Sequence, residues 1–182
     1  MNYTESLAYL DSLGKFGIKL GMERIEGLLR ELGNPEQKIK TVHVTGTNGK
    51  GSVTSMITNI LLAANLKVGK FTSPHLVKYN ERINLNGKDI SDEDFATAIT
   101  AVKVAADSVV KKGMCEQPTQ FEILTAAAFL YFYLQKVDYA VIEVGMGGLW
   151  DSTNVITPVV SVITNVALDH TDRCGKTLER IA

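Results

Sequence analysis

Between Val42 and Val53 the chain reads Val-His-Val-Thr-Gly-Thr-Asn-Gly-Lys-Gly-Ser-Val: an apolar run, three glycines, one lysine and a hydroxyl, then a helix-like segment. Glycines let backbone N–H groups converge on an anion, a helix N-terminus adds partial positive charge, and a lysine can reach terminal phosphates. Thr47, Asn48, Gly49, Lys50, Gly51 and Ser52 are therefore the expected phosphate-binding residues, and the expected ligand is a nucleoside triphosphate. The common spelling of such loops has four residues before the Gly-Lys pair and Ser or Thr directly after lysine. Here only Thr47 and Asn48 separate Gly46 from Gly49-Lys50, and Gly51 intervenes before Ser52. Gly49-Lys50 alone would equally suit a strand-to-helix turn with an exposed lysine. The strand before it, the helix after it and the flanking hydroxyls favour phosphate.

Glu143 ends the apolar run that begins at Val137. An acid there suits Mg²⁺ beside a triphosphate, because Mg²⁺ takes hard oxygen ligands and is held by one or two carboxylates plus phosphate; the alternative is a solvated acid at a strand end. Gly145, Gly147 and Gly148 imply either close approach of backbone to a ligand or a tight turn. Ser52 and Ser73 offer hydroxyls, although serine also serves as a cap or turn residue. Among the histidines, His43 lies in a strand and is expected to be packed and hydrogen-bonded, whereas His75 lies in a loop within reach of substrate. His170, beside Asp169 and Asp172, is the candidate for metal or phosphate contact, with a plain polar loop residue as the alternative.

Helical periodicity marks residues 3–13 and 22–32, the second with Ile25, Leu28, Leu29 and Leu32 on one face before Gly33-Asn34-Pro35 stops it. A strand over 41–45 feeds the glycine loop. A helix over 52–65 follows, with Val53, Met56, Ile57, Ile60 and Leu61 as its expected buried stripe. Strands are expected at 67–71 and 82–85, the second ending in an Asn86-Gly87 turn. A helix from Ser91 to about Lys112 carries Asp92, Glu93 and Asp94 in its first turn, where they complement the dipole. Residues 120–134 are apolar all round and are expected to be buried between layers. The runs 139–144 and 159–164 are near-continuously apolar, as parallel strands covered on both faces are. This alternation implies an α/β fold with a largely parallel sheet and flanking helices. In such sheets ligands gather beyond the carboxyl ends of the strands. The glycine loop, Thr72-Ser73-Pro74-His75, Glu143, and Asn165 with Asp169-His170 all fall at such ends.

The 182 residues suit one domain, and 45% hydrophobic with 21% charged residues describes an ordinary soluble protein. A net charge of -1 provides no global pull toward nucleic acid or an anionic membrane, so phosphate recognition must be local. No signal-peptide pattern opens the chain, and no apolar run reaches the ~18 residues of a membrane span. Cys115 and Cys174 lie far apart without ligand spacing, which argues against a disulfide framework or a zinc site. A cytoplasmic location is expected.

Phe16-Gly17-Ile18-Lys19-Leu20-Gly21, Leu32-Gly33-Asn34-Pro35, the loop from His43 to Ser52, Phe71-Thr72-Ser73-Pro74-His75-Leu76, Asn80-Glu81-Arg82-Ile83, Glu143-Val144-Gly145-Met146-Gly147-Gly148, Asp151-Ser152-Thr153-Asn154 and Leu168-Asp169-His170-Thr171-Asp172 occur in order. Together they resemble the folylpolyglutamate synthase and dihydrofolate synthase family, relatives of the Mur ligases, over almost the whole chain. The resemblance implies a P-loop fold like the Mur ligase central domain, with residues 1–182 as a partial N-terminal ATP-binding domain. It implies ATP and Mg²⁺ as cofactors, with folate or dihydropteroate and L-glutamate as small-molecule partners. The γ-phosphoryl group would pass to a substrate carboxylate, and an amine would attack the acyl phosphate. Lys50, Glu143 and His170 would be catalytic, while Ser73, Glu143 and His170 would occupy the metal positions. His75, Arg82, Asp151 and Ser152 would face the substrate.

Two departures stand out. Many members carry an arginine after Gly-Gly, where this chain has Leu149-Trp150. The family also continues past Ala182 into a segment with a carbamylated, metal-binding lysine, more sheet and a C-terminal domain. A chain ending at Ala182 is expected to be catalytically incomplete and, through an open sheet edge, able to self-associate, although the parent would be monomeric. Two alternatives remain: a nucleotide-binding or oligomerising module without ligase activity, and a Mur-type cell-wall amino acid ligase.

Overall fold

The computed structural model describes residues 1–14, 17, 21–171 and 175–181. Phe16, Ile18, Lys19 and Leu20 of the first motif, with Asp172 and Cys174, lie outside the described residues.

Local chemistry explains where the longer helices begin. In α1 (Tyr3–Leu13) Asn2 accepts from the Glu5 N–H while Glu5 reaches back to the Asn2 N–H, a reciprocal cap. Ser91 caps α4 (Asp92–Lys111), and Thr119 with Glu122 forms the same reciprocal cap on α5 (Gln120–Leu134). The second helix, α2 (Glu23–Glu31), turns Ile25, Leu28 and Leu29 inward. The glycine loop leads from β1 (Thr41–Thr45) into α3 (Lys50–Ala63). The remaining strands are β2 (Val68–Phe71), β3 (Ile83–Leu85), β4 (Lys88–Asp89), β5 (Tyr139–Glu143) and β6 (Val160–Ile163), and a short α6 (Leu178–Ile181) follows. Two 3-10 turns, Pro35–Lys38 and Tyr79–Arg82, had no signal in the hydrophobic pattern.

The six strands form one sheet in the order β4-β3-β2-β5-β1-β6. From β2 through β5 and β1 to β6 the pairing is parallel, and β3 and β4 add an antiparallel edge. The sheet is therefore largely parallel, as expected. Strand periodicity sends Ala140 and Ile142 to one face and Val141 to the other. On the first face α4 and α5, backed by α1 and α2, bury Phe95, Ile99, Phe129 and Phe132. Gly69 in β2 permits this contact: a Cβ there would lie 2.6 Å from the Phe132 ring. Beneath α2, Arg24 donates through Nε to Glu122 Oε1 at 3.0 Å, an ion pair with side chains 10% and 2% exposed.

Two expectations need correction. Val53, Ile57 and Leu61 of α3 pack on the second face, but Met56 and Ile60 are 63% and 69% exposed. The fully covered positions of α3 are Thr54 and Thr58. An apolar residue count cannot reveal that a helix has a partner on only one side. Likewise β6 is not covered on both faces: Val160 and Ile163 are 53% and 59% exposed, β6 being an edge strand whose one partner among the described residues is β1. No described helix is long and apolar enough to cross a membrane.

Candidate nucleotide and substrate site

The glycine loop is shaped by the segment after β6. Thr47 N–H donates to Asn165 O at 2.9 Å and Asn48 N–H to Asn165 Oδ1 at 3.0 Å, while Thr164 Oγ1 donates to Asn48 O at 2.7 Å. Ala167 N–H donates to Thr47 Oγ1 at 2.9 Å. Gly46, at φ 135°, passes so close that a Cβ would sit 2.9 Å from Asn165 O. Thr47 and Asn48 thus spend their N–H groups on holding the loop. The anion-facing donors are left to the N-terminus of α3, where Gly49 adopts φ 81° and no side chain caps the helix. Lys50 curls over the loop, donating to Gly46 O at 2.8 Å and Thr47 O at 3.2 Å.

Glu143, at the end of β5, is 5% exposed and stands beside this helix start: Oε1 is 3.5 Å from where a Cβ on Gly51 would be. Its Oε2 accepts the Ser73 N–H at 3.1 Å. Burial pushes the Glu143 carboxyl above the usual carboxylate range, opposed by the Ser73 N–H and by Lys50 and Lys70. Glu143 Oε1 and Ser73 Oγ make no hydrogen bond among the described residues. A carboxylate oxygen beside an uncapped helix start, with a serine hydroxyl on the residue that donates to that carboxylate, is the kind of hard-oxygen set that fits Mg²⁺. The described residues hold no cluster of three His, Cys, Asp or Glu able to bind a metal by themselves. A cation here accordingly needs oxygens from its ligand.

Two clefts meet at this edge. A narrow one is lined by Gly46, Thr47, Lys50, Gly147, Asp169 and His170. A wider one, about 500 Å³, is lined by Ser73, Arg82, Phe121, Trp150, Ser152 and His170 among others. His170, at φ 46°, borders both. The wall between them is held by a buried chain of polar groups. Asp151 Oδ2 accepts the Met146 N–H at 2.9 Å, and Oδ1 accepts the Thr153 hydroxyl at 2.6 Å. His43 Nε2 lies 2.8 Å from that hydroxyl oxygen. Since the hydroxyl proton goes to Asp151, His43 Nε2 must donate, and burial lowers the His43 pKa in favour of a neutral ring. Thr45 Oγ1 adds a bond to Gly147 O at 2.7 Å.

The model of the Mur ligase middle domain matches residues 44–182, which takes in this whole edge. The chain belongs to the Mur ligase middle-domain family. It is 44% identical over 181 residues to the dihydrofolate synthase/folylpolyglutamate synthase of Bacillus subtilis, covering 99% of this chain and 42% of that protein. Folylpolyglutamate synthase of Lacticaseibacillus casei is 46% identical over 182 residues, covering 100% and 42%. Among solved structures, the apo form of L. casei FPGS superposes with a TM-score of 0.93 at 46% identity, covering 100% of this chain and 44% of that one. The E. coli FolC complex with DHPP and ADP gives 0.89 at 34%, covering 100% and 42%. The chain thus spans about two-fifths of the length of the relatives it matches.

Within this Mur ligase domain, the expected residues divide by what they touch. Lys50, Gly51, Glu143 and Ser73 come together, and His170 borders the same space. Arg82, Asp151 and Ser152 line the wide cleft. The Asp151 carboxylate is committed to Met146 and Thr153, so it shapes the cleft wall. His75 holds Arg82, accepting at Nδ1 from Arg82 Nε at 2.8 Å. Sequence reasoning did not find Asn165 and Thr164 as the loop's scaffold, Thr153 as the link to His43, or Phe121 in the cleft. Asn165 ends an apolar strand, and that position was the available signal.

Proposed function

We propose that the chain is the nucleotide-handling part of an ATP-dependent carbon–nitrogen ligase that joins L-glutamate to a folate or to dihydropteroate, in the cytoplasm. The observation that carries this reading is the open α3 N-terminus with Lys50 and Glu143 beside it, at a narrow cleft that shares Gly145, Met146 and His170 with a second cleft of about 500 Å³. In this reading Lys50 leaves its perch on Gly46 O and pairs with the β- and γ-phosphates, which lie on the N–H groups of the α3 start. Glu143 and Ser73 would hold Mg²⁺, and His170 would stand between phosphate and substrate. Mg²⁺, when bound, would neutralise phosphate charge. The γ-phosphoryl group passes to the substrate carboxylate, releasing ADP. The amine of glutamate then attacks the acyl carbon and releases phosphate as the amide forms. Phosphoryl transfer asks the protein mainly for positioning and charge neutralisation, which this edge provides.

Calorimetric titration with ATP, ADP and GTP, each with and without Mg²⁺, tests the proposal. Saturable adenine-nucleotide binding strengthened by Mg²⁺ is expected. No binding of any nucleotide would remove the reading. Glutamate-dependent phosphate release is not expected from the 182 residues alone.

A further inference from the structure

Only Thr47 and Asn48 stand between Gly46 and Gly49-Lys50, where the common phosphate loop has four residues whose backbone helps cradle the anion. Both are spent on the segment after β6. Thr47 commits its N–H to Asn165 O at 2.9 Å, and its hydroxyl to the N–H and C=O of Ala167 at 2.9 and 3.3 Å. Asn48 commits its N–H to Asn165 Oδ1 at 3.0 Å and its C=O to the Thr164 hydroxyl at 2.7 Å. By contrast, the N–H groups of Lys50, Gly51 and Ser52 make no hydrogen bond among the described residues, and α3 opens without a side-chain cap. The loop is thus tied down before Gly49 and open after it. Asn165 takes two of the tied N–H groups, one on its backbone and one on its side chain. It is exposed and belongs to neither buried apolar cluster, so the fold itself asks little of its amide. From Asn165 the chain runs on to Asp169 and His170, which line the narrow cleft with Lys50. One clamp therefore holds both sides of that cleft in register.

We propose that Asn165 is a positioning residue for the nucleotide: it withdraws Thr47 and Asn48 from the anion and confines the phosphates to the N–H groups of Lys50, Gly51 and Ser52. Thr47 and Asn48, expected from sequence to bind phosphate, are then tethers of the loop. This rests on the function proposed above, in which those phosphates belong to ATP. The physical reason is preorganisation, since a glycine-rich turn released from its clamp has to be ordered at the moment of binding, which lowers affinity.

The test uses the 182-residue chain with ADP and inorganic pyrophosphate, two probes that share a diphosphate and differ in the nucleoside. Amide hydrogen exchange is followed residue by residue for the parent, Asn165→Ala and Asn165→Asp, with affinities from calorimetry and thermal melts to confirm folding. In the ligand-free parent the Thr47 and Asn48 amides should exchange slowly and those of Lys50, Gly51 and Ser52 quickly. Either probe should slow the last three and leave the first two nearly unchanged. Asn165→Ala should speed exchange at Asn48 and weaken both probes by about tenfold, the scale of one lost hydrogen bond. Asn165→Asp keeps an acceptor and should restore slow exchange at Asn48. A purely structural role would lower the melting temperature of Asn165→Ala with probe affinity unchanged, and that outcome overturns the inference. Thr47 and Asn48 amides that exchange quickly in the parent until a probe binds also overturn it, leaving the anion site intact; this measurement decides even if Asn165→Ala does not fold. If neither probe binds the parent, the anion site and the role of Asn165 fall together.

Discussion

The two faces of the sheet are built to different standards. Toward α4 and α5 lies a continuous core in which Phe71, Phe95, Phe129 and Phe132 are at most 1% exposed. Toward α3 the buried cluster is Val42, Val44, Val68 and Val141, and the helix above it keeps Met56 and Ile60 in solvent. Burial of apolar area contributes roughly 25 cal/mol per Å², so most of the fold's stabilisation comes from the first face. The phosphate loop, however, opens into α3 on the second. The helix that follows the glycine loop is thus seated on a lightly packed face, its start fixed by the strand ends and by Asn165 rather than by a deep core.

Phe132→Ala should accordingly destabilise the chain by about 3–5 kcal/mol, whereas Ile57→Ala on the α3 side should cost about 1–2 kcal/mol, below the usual range for a fully buried residue. Denaturant midpoints of the two variants measure this directly, and equal losses would erase the distinction. Next in size is Gly69→Ala, whose new methyl would meet the Phe132 ring and is expected to cost about 1–3 kcal/mol through overpacking. Pairing it with Phe132→Leu should recover part of the loss.

Substitutions at the loop should act on binding instead of stability. Lys50→Ala is expected to leave the melting temperature within a degree or so, since exposed or half-exposed changes away from special features sit near ±0.5 kcal/mol, while ATP affinity falls roughly tenfold or more. Unchanged affinity would remove Lys50 from the phosphate site. The smallest expected stability effect carries the opposite sign. Because burial raises the Glu143 pKa in the folded chain, the folded state holds that proton more tightly than the unfolded one. The contribution is therefore fully present below the ordinary carboxylate pKa and lost as pH rises through the raised value. Glu143→Gln should then melt slightly higher than the parent near pH 7.5, with the gain fading as pH falls through the carboxylate range. The same variant should lose the Mg²⁺ enhancement of ATP binding, and equal enhancement in parent and variant would unseat Glu143 as a metal ligand.

Residues 41–45 and 120–134 were readable as a strand and a helix with the same bounds as in the structure, because a β-branched run and a long apolar stretch are local signals; the reciprocal Thr119/Glu122 cap that fixes the second start was not part of that reading. Glu143, Lys50 and Ser73 were readable as a group for a related reason. Each ends a strand or opens a helix, and parallel sheets bring such ends to one edge.

Other features depend on partners distant in sequence. That β6 is an edge, that α3 is covered on one side, that Asn165 holds the glycine loop and that Thr153 joins His43 to Asp151 all depend on contacts across about 100 residues or more or on strand order. An apolar stretch reads the same whether one neighbour covers it or two. The residue types, the loop chemistry and the order of elements follow from local pattern alone. The exposure of β6 and the commitment of the Asp151 carboxylate were settled by packing, because burial and pairing belong to the groups that surround a side chain in space.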